Sequence, residues 1–333
     1  MKKWFCFLLT AFIWLSLAAC GEKTESDPKA DPFPTSAVCR VTAINGPTGM
    51  GLTPLMQKAE DGKTDFAYHF TTVGTNDEIV AKLTGGEADI AAISTNLAAA
   101  LYQKSNNSIQ VLAVNTLGVL CVVTKGVDTD NLASLRGSTV YATGQGANPE
   151  YIIRYLLEKN GLTVGQDVKL SFVSEPAELV TVFTQNERAI AVAPQPSATA
   201  IILKDPGAEI KLDVNDAWSK ISDTRLVMGC VVVRRAYAEE HPEAVAQFLK
   251  DYKDSVYAVN NDPDTAGKLC AKYGVVADAD IAAKAIPYCH IVFETGSEMK
   301  TDLSAYLKFL YEVSPSIIGG KLPDDNFYYE AQS

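Results

Sequence analysis

Glu78–Ala98 reads EIVAKLTGGEADIAAISTNLA, and one hundred residues further on Glu178–Ala198 reads ELVTVFTQNERAIAVAPQPSA. Seven positions agree: Glu78 and Glu178, Val80 and Val180, Thr84 and Thr184, Glu87 and Glu187, Ile90 and Ile190, Ala91 and Ala191, Ala98 and Ala198. Each copy carries apolar residues at helical spacing, then a polar turn, a short apolar run of strand type, and a loop. A looser echo sets VTAINGPTGMG (Val41–Gly51) beside VYATGQGANPE (Val140–Glu150), each an apolar strand running into a glycine-rich loop that opens a helix. A repeat distance near 100 residues is too long for a solenoid unit and suits two similar lobes; chance likeness of two amphipathic units is the competing reading.

Outward from these copies, further apolar segments bounded by turn residues recur at CRVTAING, DFAYHFTTVG, IQVLAVNTLGVLCVVTKG, STVYATG, VKLSFVSE and LVMGCVVVRR, most of them separated by helical patterns. Strands alternating with helices predict an α/β fold with largely parallel sheets. One helix is marked at both ends. Thr75 is placed to cap it, Glu78 follows three residues later as in a capping box, and Gly85-Gly86 ends it. After Arg235 the pattern turns mainly helical, and those helices are expected to pack on one of the lobes. Tyr252, Tyr257, Phe309 and Tyr311 are read as packing residues rather than a ligand box.

The first residues have another character. Lys2 and Lys3 precede an apolar run from Trp4 to Leu15, and Leu17-Ala18-Ala19-Cys20 follows as a small-residue cleavage site. The run is shorter than a comfortable bilayer span. The expectation is a removed signal segment, residues 1–19, whose loss takes two lysines and makes the chain two charges more negative. Residues 20–36, containing GEKTESDPKADPFPTS, are polar, rich in proline and poor in aliphatic side chains, so they are read as a flexible tether.

Composition narrows the function. The 333 residues carry 29 Lys+Arg against 40 Asp+Glu, a net charge of -11, the wrong sign for capturing nucleic acid. The 3 histidines are scattered and the cysteines lie far apart, so no metal and no cofactor is expected. Of the 7 cysteines, Cys121 and Cys230 sit in apolar strand patterns as buried hydrophobes, and whether Cys270 and Cys289 pair is left open.

In open α/β sheets, ligands bind beyond the carboxyl ends of the strands. That criterion selects Asn45, Thr48, Gly49, Met50, Ser94, Thr95, Asn96, Asn115 and Thr116 from one lobe. Thr143, Gln145, Asn148, Glu175 and Gln195 are selected from the other. The loops offer hydroxyls, amides and bare backbone but no Lys, Arg, His or Cys, and a single acid, Glu175. An acid–base pair or an activated nucleophile lacks its residues there, so no enzyme is expected. A multiply charged phosphate usually draws Arg or Lys, so a neutral or singly charged polar solute is favoured. Glu175 either accepts from an amino group of that solute or is a solvated carboxylate at a helix start.

INGPTGMG, DEIVAKLTGGEADIAAISTNLA, NTLGVLCVVTKG, SLRGSTVYATGQGANPEYIIRYLLEKNG, LVMGCVVVRRAYAEEHPEAVAQFL and IIGGKLPDDNFYY together resemble the substrate-binding lipoproteins of bacterial ABC importers, of the nitrate, sulfonate and taurine type that also includes thiamine-pyrimidine binders. The resemblance implies a two-lobed periplasmic-binding-protein-like type II fold with the solute in the cleft between lobes. It implies crossing strands near Leu120 to Lys125 and Arg225 to Val231, lobe 1 as 37–122 plus 228–331, and lobe 2 as 123–227. It also implies a lipid on Cys20, an extracytoplasmic place on the cell membrane, and delivery to an ABC permease and its ATPase, with the protein itself a monomer. Two alternatives stay open: a receptor that docks on a sensor protein, and fold-related enzymes of thiamine-pyrimidine or menaquinone synthesis. The basic or aromatic cleft residues of the family's sulfonate and nitrate binders are not evident in these loops, which leaves the solute open.

Overall fold

The computed structural model describes residues 38–330; the signal segment, Cys20 and the tether lie outside them. Among the described residues eleven strands form two sheets: β1 Cys39–Ile44, β2 Tyr68–Val73, β3 Ile90–Ser94, β4 Ile109–Thr116, β5 Leu120–Lys125, β6 Thr139–Ala142, β7 Lys169–Phe172, β8 Ala189–Pro194, β9 Ala208–Asp213, β10 Gly229–Arg234 and β11 Ile291–Glu294. The first sheet has the order β11-β4-β10-β3-β1-β2 and the second β7-β6-β8-β5-β9. Helices cover both, and the fold is a mixed α/β arrangement of two lobes.

The sheets are not largely parallel, contrary to the expectation from the sequence. β1 pairs in parallel with β2 and β3, and β6 with β7 and β8. β10 runs antiparallel to β3 and β4, β11 to β4, and β5 to β8 and β9. The cause is the route of the chain. β5 and β10 each enter their sheet from the other lobe, at the edge where the parallel strands end: Leu120 lies opposite Pro194, and Gly229 opposite Ser94. A strand entering at the carboxyl edge must point the other way. The chain passes from the first sheet to the second at 117–119, and returns between β9 and β10, at 214–228.

The hundred-residue echo is physical. The Asn76–Thr84 helix has the full capping box, Glu78 N–H donating to Thr75 Oγ1 at 3.3 Å and Thr75 N–H to Glu78 Oε2 at 3.2 Å. In the Pro176–Gln185 helix, Glu178 accepts from Ser174 N–H at 3.0 Å, although Glu175 at the cap makes no such bond with its side chain. Thr84 Oγ1 donates to the Val80 carbonyl at 2.8 Å and Thr184 Oγ1 to that of Val180 at 2.9 Å. Ile90, Ala91 and Ala98 are fully buried, as are Ala191 and Ala198, with Ile190 nearly so.

Central strands read as continuous apolar runs because helices cover both faces: β3, β5, β8 and β10 are buried except at their last residue. The C-terminal helices close the first lobe, with Phe248 stacked on Tyr252 at 5.5 Å within the Pro242–Asn261 helix. Tyr257 and Tyr311 lie on the surface. Phe309 of the Gly296–Val313 helix meets Trp218 and Tyr155, which flank the second sheet, at 4.8 and 5.0 Å. The lobes thus share an aromatic contact. The five cysteines of the described residues are all buried free thiols, Cys270 and Cys289 among them. Among the described residues no helix is long and apolar enough to cross a membrane.

Candidate functional site

The selected loops all follow strand carboxyl ends, where both crossings of the chain also lie. Two sets of them meet directly. Asn148 Nδ2 donates to Asn96 Oδ1 at 3.1 Å, joining the first turn of the Asn148–Lys159 helix on the second lobe to that of the Thr95–Lys104 helix on the first. Neither helix has a side-chain cap: Ser94 and Ala147 make no such bond. Of their leading N–H groups, that of Thr95 donates to the Met228 carbonyl at 3.2 Å and that of Glu150 to the Ala147 carbonyl at 3.1 Å, while Pro149 has none. Asn148 Oδ1 is buried and has no partner among the described residues.

The second set is a fixed wall on the first lobe. Asn115 Nδ2 donates to the Thr48 carbonyl at 3.0 Å and to Tyr252 Oη at 3.1 Å, while Thr116 Oγ1 donates to Asn115 Oδ1 at 3.0 Å. Asn115 and Thr116 are 1% exposed, so these bonds occupy them fully. Ser255 Oγ donates to the Gly51 carbonyl at 2.7 Å and accepts from Leu55 N–H at 3.0 Å. The Pro242–Asn261 helix therefore pins both sides of the glycine-rich loop after β1. Gly49 and Gly229 are required by close approach: a Cβ on Gly49 would lie 2.6 Å from the Ile44 carbonyl oxygen, and one on Gly229 would lie 2.7 Å from Asn115 Oδ1 and 2.9 Å from Thr48 Oγ1.

Other selected residues are committed to the scaffold. Met50 is fully buried. Thr95 Oγ1 donates to the Val227 carbonyl at 2.5 Å, tying the end of β3 to the second crossing. Gln195, 2% exposed, donates through Nε2 to Cys121 Sγ at 3.5 Å and accepts through Oε1 from Thr199 Oγ1 at 2.8 Å. Asn45, Gln145 and Glu175 are exposed, Ser94 half-buried and Thr143 buried. The side chains of these five hold no hydrogen bond among the described residues.

Tyr252, read from the sequence as a packing residue, packs on Phe248 and also bonds Asn115, whereas Gly229 lies outside the loops because it opens a strand. The signal for Gly229 was present, a lone glycine at the head of the apolar run LVMGCVVVR. Two cavities of about 670 and 510 Å³ lie on the first lobe away from these loops, one beside Arg234 and Arg235 and the other beside Lys300 and Tyr328. Among the described residues no cluster of three or more His, Cys, Asp or Glu suits a metal ion.

Residues 61–273 match the model of the NMT1-like family, more than half of the chain. The chain belongs to that family. No curated protein matches it. Among solved structures this NMT1-like chain is similar to an ABC transporter from Parabacteroides distasonis, with 22% identity, 89% of this chain and 99% of the other covered, and a TM-score of 0.75. It is similar also to the periplasmic aliphatic sulphonate binding protein SsuA from Escherichia coli, with 16% identity, 89% and 92% covered, and a TM-score of 0.70. A third is the periplasmic nitrate-binding protein NrtA from Synechocystis, with 14% identity, 84% of each chain covered, and a TM-score of 0.58. At these identities the likeness is one of fold.

Proposed function

We propose that this NMT1-like chain is the solute-binding component of an ABC importer. It captures a small polar organic solute between its lobes and hands it to a membrane permease with its ATPase. The observation that carries the reading is the Asn96–Asn148 bond, which joins the first turns of helices from different lobes. Closure of lobes around a ligand is the mechanism such a geometry serves. Support comes also from the names of the neighbours, a sulphonate binder and a nitrate binder among them. Within the proposal, the ligand-binding residues are those named above from the two lobes, with Asn45, Ser94, Asn96, Thr143, Gln145 and Glu175 in direct contact and the others holding the walls.

The lobes divide where the sheets do, at 117–119 and 214–228. The chain acts as a monomer, without enzymatic activity, outside the cytoplasmic membrane and held there by lipid on Cys20. The anchor is tested by metabolic labelling with a fatty acid: label in the wild type and none in Cys20→Ala supports it, and equal labelling overturns it. Solute capture is tested on the purified full chain. It is denatured to release bound small molecules for mass spectrometry, beside a thermal-shift screen of pyrimidines, sulfonates, nitrate and carboxylates. A released or strongly stabilising compound names the solute, whereas an empty, unresponsive chain overturns the reading.

A further inference from the structure

His290 stands at the joint between the lobes, immediately before β11. Its carbonyl accepts from Leu117 N–H at 3.2 Å, and the next residue, Ile291, lies opposite Thr116. Across the crossing, Asp213 ends β9 opposite Cys121. The two side chains meet over this gap: His290 Nε2 lies 3.4 Å from Asp213 Oδ2, and Nδ1 lies 2.6 Å from the Gly118 carbonyl oxygen. Leu117–Leu120 is therefore braced by a pair with one member on each lobe. Any rotation about that segment must change the separation of His290 and Asp213.

A ring with two protons satisfies both contacts. A carbonyl oxygen only accepts, so Nδ1 carries a proton toward Gly118. In a neutral ring Nε2 would then turn a lone pair toward the Asp213 carboxylate. With the second proton the same contact becomes an attraction. The surroundings supply no competing cation. Asp213 Oδ1 is occupied, accepting from Asn215 N–H at 2.8 Å. Asp216 faces the pair from the same helix start and adds negative charge. The thiols of Cys121 and Cys289 are pushed up by burial and stay neutral. At the other end of β11, Arg225 pairs with Glu294 at 2.6 Å and Asp302 at 2.9 Å. That second brace, on the other crossing, uses a guanidinium that stays charged.

We propose that His290 is a proton-operated latch on the lobe hinge, holding the lobes together through Asp213 and the Gly118 carbonyl when charged and releasing them when neutral. Raising the pH then favours the open form. Falling pH ends the effect at its lower limit, where Asp213, its carboxyl raised by burial, takes up a proton. The consequence for solute capture rests on the binding reading; the latch itself does not.

Trp218 reports the hinge without any solute, because its ring is held against Phe309 of the opposite lobe at 4.8 Å. In a full chain with Trp4→Phe and Trp14→Phe it is the only tryptophan of the 3. Acrylamide quenching of Trp218 gives the open fraction, which is expected to rise about two- to fivefold from about pH 6 to about pH 8.5, the range of a half-exposed ion pair. His290→Asn suits the left-handed backbone at φ 44°, and Asp213→Asn keeps the cap on Asn215. Both are expected to flatten the pH dependence. Quenching that does not vary with pH in the wild type, or an unchanged profile in Asp213→Asn, overturns the latch, and that variant decides the matter even where His290→Asn fails to fold. Failure here leaves the binding reading standing, and failure of solute release leaves the latch standing.

Discussion

Asn96 and Asn148 are hydrogen-bonded across the two lobes at 3.1 Å, each from the first turn of a helix that has no side-chain cap. Their amides form a polar pair between the loop after β3 and the loop after β6. Asn96→Ala is expected to weaken binding of the released solute about three- to tenfold, the worth of one hydrogen bond. Its melting temperature should stay within a few degrees of the wild type. Calorimetric titration beside a thermal melt checks this, and full affinity in the variant removes the pair from the site.

Gly229→Ala tests the wall beneath. The added methyl meets Asn115 Oδ1 at 2.7 Å and Thr116 Cβ at 2.9 Å, and that oxygen is held by Thr116. A loss of about 1–3 kcal/mol is expected from overpacking, read as a lower urea midpoint with an unchanged slope.

Tyr252→Phe removes one hydroxyl and nothing else. Asn115 Nδ2 keeps its bond to the Thr48 carbonyl but loses Tyr252 Oη, both groups being fully buried. The expected cost is about 1 kcal/mol in urea unfolding. Solute affinity should fall with it, because the Thr48 loop loses a support; an unaltered affinity would mean that the loop is held without the tyrosine.

Acid stability should carry the mark of Asp89. It is 1% exposed, and burial alone would raise its pKa, but Arg40 and Arg234 outweigh that and hold the carboxyl below the ordinary value of 3.8. A lowered folded value means stability that is present above the unfolded value and lost as the pH falls through the folded one. Asp89→Asn is expected to lose about 1.5–3 kcal/mol near neutral pH, and to lose less than the wild type on further acidification below about pH 4. Urea unfolding as a function of pH distinguishes the two profiles.

The buried thiols should be inert in the folded chain. Burial pushes Cys39 and Cys121 up to about 12 and Cys270 up to about 11, so almost no thiolate exists at pH 8. Iodoacetamide is expected to leave Cys39, Cys121, Cys230, Cys270 and Cys289 unlabelled until denaturant is added. Loss of the Cys270 and Cys289 thiols under non-reducing denaturation would instead reveal a disulfide.

What the sequence by itself determined is what neighbouring residues can settle among themselves. Thr75 and Glu78 close their capping box within three residues, and Thr84 and Thr184 bond back to carbonyls four residues before them. The strands were legible because covered sheets leave unbroken apolar runs, and the two lobes because these local arrangements recur one hundred residues apart. The loops of the candidate site were legible as strand ends, but which of their side chains are hydrogen-bonded within the fold was not. Gln195 and Asn115 look as available as Gln145 and Asn45 in the sequence. Only the tertiary structure occupied the first two, by Cys121 and Thr199 in one case and Tyr252 in the other. The antiparallel run of β5 and β10, the need for glycine at 229, and the meeting of His290 with Asp213 and of Asn96 with Asn148 belong to the same class. Each depends on chain segments 50 or more residues apart being brought to one edge, and no local hydrogen bond or hydrophobic period carries that information.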